Sequence, residues 1–353
     1  MTFDTRILAI NAERPSEAAL SEGAELLRSG ELVAFATETV YGLGADATND
    51  RAVSKIFEAK GRPSVNPLIV HVAEIADAKR FTATWPDRAN RLANHFWPGP
   101  LTIVLPKSDA ICRRATAGNP TVGLRVPAAN VARSLIRHAE RPIAAPSANR
   151  STGLSPTKAE HVLKALSGRI PLILDSGPTS IGIESAVIDL CHESARLLRP
   201  GSLSLDEIQS ILGEPVELLV KGDRNEPEIL TSPGQMAVHY APTTPTFRVE
   251  PGRSVALTES LRYGLLRFGG GTIRVNVEPG EHCVFEDPDV AARFLYSTLH
   301  EFDEARLNFI LIVLPPSSAE WRAIRDRLTR ASRPWPEDSC VELTEKTLLD
   351  RHP

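Results

Sequence analysis

The sequence predicts an α/β protein in which a twisted sheet of mixed parallel and antiparallel strands, with flanking helices, precedes a smaller C-terminal α/β domain. Short apolar runs alternate with amphipathic, capped segments along most of the chain. Two such runs, 185–190 and 195–198, are separated only by turn residues, which indicates an antiparallel pair. The 353 residues exceed one average domain, and a stretch rich in Pro, Gly, Asp and Asn from Lys221 to Pro245 divides them.

The elements before that stretch follow from apolar patterns and end signals. Proline or a capping side chain precedes several amphipathic segments, and a glycine such as Gly30 or Gly213 follows several of them. The predicted helices are 15–29, 50–60, 86–96, 131–139, 157–166 and 204–212. The predicted strands are 31–36, 68–72, 101–105, 122–126, 143–145, 172–174, 185–190 and 195–198. Residues 37–48, which contain two glycines, are predicted to form a loop.

After Pro245 the same alternation begins again and predicts a second α/β domain. Its predicted strands are 263–268, 272–277 and 309–314, and its predicted helices are 287–302 and 319–331. The predicted division of the chain is therefore a first domain of residues 1–213, a linker of residues 214–245, and a C-terminal domain of residues 246–353.

Composition excludes several classes of protein. A hydrophobic content of 42% and a charged content of 24% are ordinary for a soluble globular protein. The net charge of −4 argues against a basic nucleic-acid-binding surface over the whole protein. The four cysteines are far apart with no CxxC, so a zinc site and a disulfide framework are not expected. No apolar run approaches ~20 residues, so we expect no membrane span and a cytoplasmic location.

Three common catalytic or nucleotide-binding motifs are rejected. The sequence contains no GxxxxGK[ST], so a P-loop is excluded. Gly42 to Ala47 fits GxGxx[GA], but five residues separate the preceding strand from the first glycine, whereas a dinucleotide fingerprint needs a tight turn. No GxSxG nucleophile elbow is present, and the spacing around Ser180 does not fit one.

Polar residues stand instead at the ends of several predicted strands. Thr37, Glu38 and Thr39 follow one strand, and two cations, Lys60 and Arg62, lead into the next. Cations and hydroxyls at the ends of adjacent strands are what a phosphate-bearing ligand needs. Because ligands of open α/β sheets lie beyond strand ends, we expect these loops to converge there.

Each of these residues also has a purely structural interpretation. Lys60 and Arg62 stand at a helix C-terminus, where cations complement the helix dipole. Arg125 occupies an otherwise apolar strand position, which indicates either a function or a buried ion pair. His71 in an apolar strand can be a satisfied core residue, and Ser147 can simply shape a turn. The joint occurrence of these residues favours a functional site.

Eight motifs in this order resemble the Sua5/YrdC family of L-threonylcarbamoyladenylate synthases over residues 15–213. They are Thr37-Glu-Thr-Val-Tyr-Gly-Leu-Gly44, Lys60-Gly-Arg62-Pro63, Asn66-Pro-Leu-Ile-Val-His71, Trp97-Pro-Gly-Pro-Leu-Thr102, Val122-Gly-Leu-Arg-Val-Pro127, Ala145-Pro-Ser-Ala-Asn149, Gly182-Ile-Glu-Ser185 and Leu198-Arg-Pro-Gly201. The segment 232–242 resembles the linker of the two-domain Sua5 branch. The resemblance implies a YrdC-like catalytic domain and a Rossmann-like C-terminal domain.

The resemblance also implies an activity and a set of site residues. The implied reaction joins L-threonine, bicarbonate or CO₂, and ATP into threonylcarbamoyl-AMP and pyrophosphate. The implied threonine-binding residues are Thr39, His71, Arg125, Ala145 and Ser185. The implied ATP-binding residues are Arg62, Asn66, Thr121, Ser147, Ser155, Arg199 and, in the linker, Tyr240. Lys60 and Arg62 are the expected catalytic cations.

The expected cofactor is Mg²⁺, held through the ATP phosphates, and no protein ligand is assigned to it. The product is expected to pass to threonylcarbamoyl-transfer proteins and to tRNA, with no membrane partner. Two other functions were considered. A non-catalytic RNA-binding module is disfavoured by the net charge and by an aromatic content of only 5%. Carbamoyl transfer to another acceptor, as in hydrogenase-maturation proteins, is disfavoured because zinc-finger and acylphosphatase-like segments are absent from the sequence.

Overall fold

A computed structural model describes residues 3–63, 66–219 and 240–336 of the chain. It separates into two compact units, one formed by the described residues of 1–151 and 155–235 and the other by those of 152–154 and 236–353. Both units contain strands and helices, as the sequence predicts. Most of the predicted linker, residues 220–239, lies outside the described residues, so the domain boundaries stay a prediction.

The first unit contains one sheet, in which eleven strands are described. They are β1 Arg6–Ala9, β2 Val33–Ala36, β3 Tyr41–Asp46, β4 Ile69–His71, β5 Leu101–Pro106, β6 Thr121–Arg125, β7 Ile143–Ala144, β8 Leu172–Asp175, β9 Ala186–Asp189, β10 Ala195–Arg199 and β11 Val216–Leu218. Their order across the sheet is β1-β8-β2-β3-β7-β4-β6-β5-β9-β10-β11. Since β4 pairs parallel and β5 pairs antiparallel with β6, the predicted mixed sheet is confirmed.

The helices described in the first unit are α1 Glu17–Arg28, α2 Asp50–Lys60, α3 Ile75–Arg80, α4 Asp87–Phe96, α5 Asn130–Ala139, α6 Ala159–Leu166 and α7 Leu205–Leu212. Two of them, α2 and α7, begin at capping residues that the sequence predicts, Asn49 and Ser204. The Asn49 side chain accepts hydrogen bonds from the first backbone N–H groups of α2, and Gly61 ends that helix in the left-handed conformation with φ 62°. These two signals make Lys60 the last residue of α2.

The loop predicted at 37–48 is wrong over most of its length, because residues 41–46 form β3. β2 and β3 pair as an antiparallel hairpin. A Cβ on Gly44 would lie 2.7 Å from Phe35 Cε1 and 2.9 Å from Ile143 Cγ2. Glycine is therefore needed here for close packing across the sheet, and not for a turn.

Three short elements of the first unit, β1, α3 and β11, were not predicted. They contain four, six and three residues, respectively, which is too short for a periodic pattern to show. β1 and β11 are the two outermost strands in the sheet order, and each forms its ladder with one neighbour, β8 or β10. Such strands depend on a tertiary partner that local sequence does not reveal.

One face of the sheet carries a small apolar cluster, here called the apolar floor. It consists of Ile69, Val104, Val187 and Leu198. Gly123 of β6 pairs with Ile69 on one side and with Val104 on the other. Because alternate residues of a strand point to the same face, Thr121 and Arg125 flank Gly123 on the face of the apolar floor.

The second unit contains a five-stranded sheet and a separate two-stranded ribbon within the described residues. Its strands are β12 Thr246–Val249, β13 Ser254–Val255, β14 Tyr263–Phe268, β15 Arg274–Val275, β16 Glu281–Phe285, β17 Phe309–Val313 and β18 Arg333–Pro334. The larger sheet has the order β16-β14-β17-β12-β18, and all its pairs are parallel. β13 and β15 form the ribbon.

The helices of this unit are α8 Pro288–Glu304 and α9 Arg322–Ala331, and a 3₁₀ turn at Ala319–Trp321 begins the predicted helix 319–331. Of the predicted strand 272–277, only the two residues of β15 form a strand, and they pair with β13 outside the five-stranded sheet. Between β14 and β15 the chain turns at Gly269 and Gly270, which have positive φ. Within the described residues, no helix combines the length and apolar content needed to cross a membrane.

The close packing at Gly44 leads to a stability prediction. We expect Gly44→Ala to lower the free energy of unfolding by about 1–3 kcal/mol, because the added methyl group overpacks the sheet. Gly42→Ala in the same strand is the matched control, since its nearest neighbour, Ala145 Cβ, would lie 3.3 Å away. The measurement is urea denaturation followed by circular dichroism. Equal midpoints for Gly44→Ala and the wild type would contradict the packing argument.

Candidate active site

The turn between β2 and β3 is fixed by the hydroxyl of Thr37. Thr37 Oγ1 accepts hydrogen bonds from the backbone N–H groups of Thr39 and Val40 at 3.2 and 3.3 Å, and it lies 2.7 Å from Val40 O, to which it donates. The next two side chains, Glu38 and Thr39, are turned into the protein and are 7% and 1% exposed. A carboxylate and a hydroxyl are thus buried side by side at the end of β2.

Arg125, the last residue of β6, is 3% exposed and is held by three acceptors. Its Nη2 donates to Glu38 Oε1 at 2.6 Å, its Nη1 to Thr39 Oγ1 at 3.0 Å, and its Nε to Gly99 O at 3.1 Å. A guanidinium has five N–H donors, so each terminal nitrogen keeps one for a ligand. Two parallel N–H groups are the complement of a carboxylate.

Glu38 stands in the motif at 37–44, but no role in the site is predicted for it from the sequence. Its Oε2 accepts hydrogen bonds from the backbone N–H groups of Ala128 and Ala129 at 2.9 and 3.4 Å, while Oε1 binds Arg125. The buried ion pair considered for Arg125 is therefore present, with Glu38 as its partner. The signal that could have found it is the requirement of a buried arginine for a carboxylate.

His71 lies beside Arg125, because β4 and β6 pair in parallel with these two residues in register. Burial, and next the positive charge of Arg125, lower the pKa of His71 from 6.5 to about 3. The imidazole is therefore neutral at physiological pH. Its Nδ1 is buried and has no hydrogen-bond partner among the described residues. Ala145 is placed next to this strand by a 3.0 Å hydrogen bond from its N–H to Ile69 O.

Ser185 and Arg199 meet at the β9–β10 hairpin. Arg199 Nε donates to Ser185 O at 3.0 Å, and Arg199 Nη2 donates to Ser185 Oγ at 3.2 Å. Ser185 Oγ also lies 2.8 Å from the hydroxyl of Thr102, a residue that the sequence analysis did not assign. The Gly182 N–H donates to Thr39 O at 3.1 Å, so this group adjoins the Arg125 group.

Lys60 forms a second centre with the segment after β7. Its Nζ donates to Ser147 O at 2.6 Å, to Asn149 O at 2.5 Å and to Asn149 Oδ1 at 3.2 Å. Ser147 Oγ in turn donates to Asn149 Oδ1 at 2.5 Å. Burial, and then the charges of Arg62 and Arg150, hold the pKa of Lys60 well below its usual value. Lys60 is 2% exposed and is bonded to the segment after β7, so it does more than complement the dipole of α2.

Arg62 and Asn66 bring further polar groups to the start of β4. Arg62 is 8% exposed, and its Nη2 donates to Pro67 O at 3.4 Å. Asn66 is 1% exposed, and neither its Oδ1 nor its Nδ2 has a hydrogen-bond partner among the described residues. Buried amides are rarely left unpaired in native proteins, so the Asn66 side chain indicates a polar ligand.

The candidate residues lie at both ends of β4 and β6. Arg125 and His71 stand at the carboxyl ends of these strands, and Thr121 and Asn66 at or before their amino ends. β7 runs antiparallel to β4, so the chain leaving β7 carries Ser147 towards the amino end. The site therefore extends along the face of the apolar floor.

Two other residues predicted for the ATP site, Ser155 and Tyr240, have contacts away from β4 and β6. Ser155 Oγ donates to Glu184 Oε1 at 2.5 Å, next to Ser185, and both of these side chains are buried. Tyr240 belongs to the second unit. There its ring centroid lies 5.9 Å from that of Tyr296 and 5.3 Å from the guanidinium of Arg327. Tyr240 has a positive φ of 64°, which is uncommon for a tyrosine.

Comparison with known proteins finds similarity over both units. A family model described as "Telomere recombination" matches residues 25–201. A second model, described as "Threonylcarbamoyl-AMP synthase, C-terminal domain", matches residues 203–333.

Two curated relatives are similar along almost their whole length. The chain is 44% identical to a threonylcarbamoyl-AMP synthase of Bacillus subtilis, over 89% of this chain and 92% of the relative. It is 40% identical to the threonylcarbamoyl-AMP synthase of Pyrococcus abyssi, over 91% and 96%. The crystal structure of P. abyssi Sua5 complexed with L-threonine matches with a TM-score of 0.83 at 37% identity, covering 94% of this chain and all of that one.

The surroundings of His71 predict an unusual titration. Because the pKa of His71 in the folded protein, about 3, lies below its ordinary value of 6.5, the unfolded chain takes up the proton first as the pH falls. Its contribution to stability is therefore complete above pH 6.5 and is lost progressively between 6.5 and about 3. In NMR titration of the folded protein, we expect the His71 ring signals to stay unchanged between about pH 5 and 8.

His138 provides the internal control for this titration. It is half-buried, and its hydrogen bond to Glu17 raises its pKa above 6.5, so it should titrate at a higher pH than His71. A His71 signal that titrates near 6.5 would show that the ring is not enclosed beside Arg125.

Proposed function

The chain belongs to the Sua5/YrdC family of threonylcarbamoyl-AMP synthases, and from this we propose that it joins L-threonine, bicarbonate or CO₂, and ATP into threonylcarbamoyl-AMP and pyrophosphate. It is then a nucleotidyltransferase whose product supplies N6-threonylcarbamoyladenosine formation in tRNA. We propose that it works in the cytoplasm, and that threonylcarbamoyl-transfer proteins receive its product.

One observation supports this proposal best: two binding groups of different chemistry stand at the two ends of β4. Arg125, Thr39 and neutral His71 lie at its carboxyl end, where they suit a carboxylate and a hydroxyl. Arg62 contacts Pro67, which lies just before the amino end of β4. Pro67 is four residues from His71, a separation of about 13 Å along a strand. That distance allows an amino acid to lie beside a nucleotide triphosphate on one surface.

The threonine end would act by orientation. The two remaining N–H donors of Arg125 bind the carboxylate, and the buried hydroxyls of Thr39 and Ser185 can read the substrate hydroxyl. His71 adds no positive charge, because its pKa is lowered to about 3, so it does not compete with Arg125 for the carboxylate. The threonine amine is left to face the carbon source.

The chemical step would need no covalent intermediate on the protein. The neutral threonine amine forms a bond to the carbon of CO₂ and releases a proton to water, or forms it to the carbon of bicarbonate and releases a water molecule; either route gives a carbamate. A carbamate oxygen then attacks the α-phosphorus of ATP, and the bond to the pyrophosphate oxygen breaks. Arg62 and Arg199 would stabilise the charge that develops on the leaving pyrophosphate, while Lys60, whose Nζ bonds Ser147 and Asn149, would hold the segment that carries the Ser147 hydroxyl. Carbamates decompose readily in water, so the site must exclude solvent.

Mg²⁺ would enter with ATP. The donor set at the amino end of β4 consists of cations, hydroxyls and the Asn66 amide, which suits phosphate oxygens. Mg²⁺ in nucleotide enzymes is held largely by substrate phosphates and water. When bound, it neutralises phosphate charge, while the residues named above orient the two substrates. We propose no direct protein ligand for it.

The activity is tested by incubating the purified chain with ATP, Mg²⁺, bicarbonate and ¹⁴C-labelled L-threonine. The expected result is a labelled adenylate and one equivalent of pyrophosphate, both dependent on all three substrates. Labelled L-serine tests whether the hydroxyl-reading residues select threonine. If no labelled adenylate forms, while an RNA ligand binds with a steep salt dependence, the RNA-binding alternative replaces the proposed function.

Substitutions at the two ends of β4 should separate the two substrates. Arg125→Ala should weaken threonine binding about 100-fold or more, because a charge-assisted pair is lost, and change ATP affinity less than about threefold. Arg62→Ala should lower turnover about 100-fold and spare threonine binding. The measurements are calorimetric titration with each substrate and release of pyrophosphate.

Each of these variants is the other's control. Arg125→Ala leaves Glu38 buried without its partner, so Arg125→Lys is measured as well. Lysine keeps the positive charge but cannot form a bidentate pair with a carboxylate. Equal loss of threonine and ATP binding in Arg125→Lys would refute the assignment of Arg125 to threonine. Normal turnover in Arg62→Ala would show that Arg62 has only a structural role at the end of α2.

A further inference from the structure

The second unit has a cavity of its own, lined by residues of that unit. Its volume is about 310 Å³, at the lower end of the range for small-molecule sites. Glu250, directly after β12, and Leu314, directly after β17, line it, so it lies beyond the carboxyl ends of these neighbouring strands.

The strand order makes this position the switch point of the sheet. In the order β16-β14-β17-β12-β18, the chain leaving β12 goes to β14 on one side, and the chain leaving β17 goes to β18 on the other. Connections that leave two adjacent parallel strands in opposite directions open a crevice between them. In open α/β sheets, ligands bind in this crevice.

The charges at the cavity favour an anion. Arg253 is exposed, and within the described part of the chain its guanidinium makes no hydrogen bond or ion pair. Arg248 is half-buried, and its Nη1 donates to the carbonyls of Thr329 and Ser332. The one lining carboxylate, Glu250, is already paired with Arg325 at 2.5 Å. The cavity therefore holds a net positive charge in a chain whose net charge is −4.

The surroundings of Arg248 lower its pKa. Burial lowers its pKa, Glu250 raises it, and the nearby charge of Arg325 lowers it. A bound anion would offset both the burial and the repulsion.

An aromatic ring forms another part of the lining. Trp335 is half-buried, and its ring packs edge-on against Phe247 of β12 at a centroid distance of 5.5 Å. The site thus places guanidinium groups within the same small cavity as an indole ring, and these are the groups that contact a phosphate and a planar base.

We propose that this cavity at the carboxyl ends of β12 and β17 is a second binding site, specific for a small phosphate-bearing anion. Arg253 contacts the phosphate, Arg248 supports it from the sheet, and Trp335 borders the rest of the ligand. The phosphate belongs either to a nucleotide or to free phosphate or pyrophosphate. The proposal does not depend on the reaction of the first unit.

The test follows the indole N–H signal of Trp335 in ¹H–¹⁵N NMR spectra of the full-length chain, assigned with Trp335→Phe. Sodium phosphate, sodium pyrophosphate and AMP are titrated separately at constant ionic strength. A saturable shift of the Trp335 signal is expected with at least one probe. Arg253→Ala should weaken that binding about tenfold or more. AMP binding more tightly than both inorganic probes identifies a nucleotide site, and equal or weaker AMP binding identifies an inorganic phosphate site.

Three controls make the result decisive. Arg293→Ala removes an exposed arginine of α8 that does not line the cavity, so it should leave the Trp335 titration unchanged. Arg253→Lys should restore part of the affinity. Arg62→Ala, in the first unit, should also leave it unchanged, which separates this site from the substrate site. No saturable Trp335 shift with any probe, or equal affinity in Arg253→Ala, would overturn the proposal.

Discussion

The active-site geometry depends on one buried ion pair, between Arg125 and Glu38. A guanidinium that is 3% exposed is stable only if its charge is matched and its donors are bonded. Glu38 meets both needs, because one of its oxygens binds Arg125 and the other accepts backbone N–H groups from the segment after β6. The pair therefore joins the β2–β3 turn to the end of β6.

This constraint also sets the chemistry of its neighbours. The charge of Arg125 helps to keep His71 neutral. Arg125 also donates a hydrogen bond to the hydroxyl of Thr39, which in turn contacts the hydroxyl of Thr37. The residues that would bind threonine are thus pre-ordered by bonds within the protein. Pre-ordered donors lose little conformational entropy when they bind a ligand.

The two units use parallel strands in different ways. In the first unit, candidate residues are spread over both ends of β4 and β6, because β7 is antiparallel and returns Ser147 to the amino end. In the second unit, all pairs of the main sheet are parallel, and the cavity lies at the carboxyl ends of β12 and β17. The position of a site therefore follows from strand direction, and each unit provides a surface suited to anions.

The sequence by itself determined the alternation of strands and helices, the caps of α2 and α7, and the polar residues of the site. These are local properties, because Asn49, Gly61 and Ser204 act within a few residues of their helix ends. Only the tertiary structure decided that Gly42 and Gly44 belong to a strand, that Glu38 is the partner of Arg125, and that Lys60 binds the loop at Asn149. The contacts of Glu38 with Arg125 and of Lys60 with Asn149 join residues 87 and 89 positions apart, and no local pattern encodes such a pairing. Burial makes these partners necessary, because a buried charge or donor without a partner is costly, and burial exists only once the chain has folded.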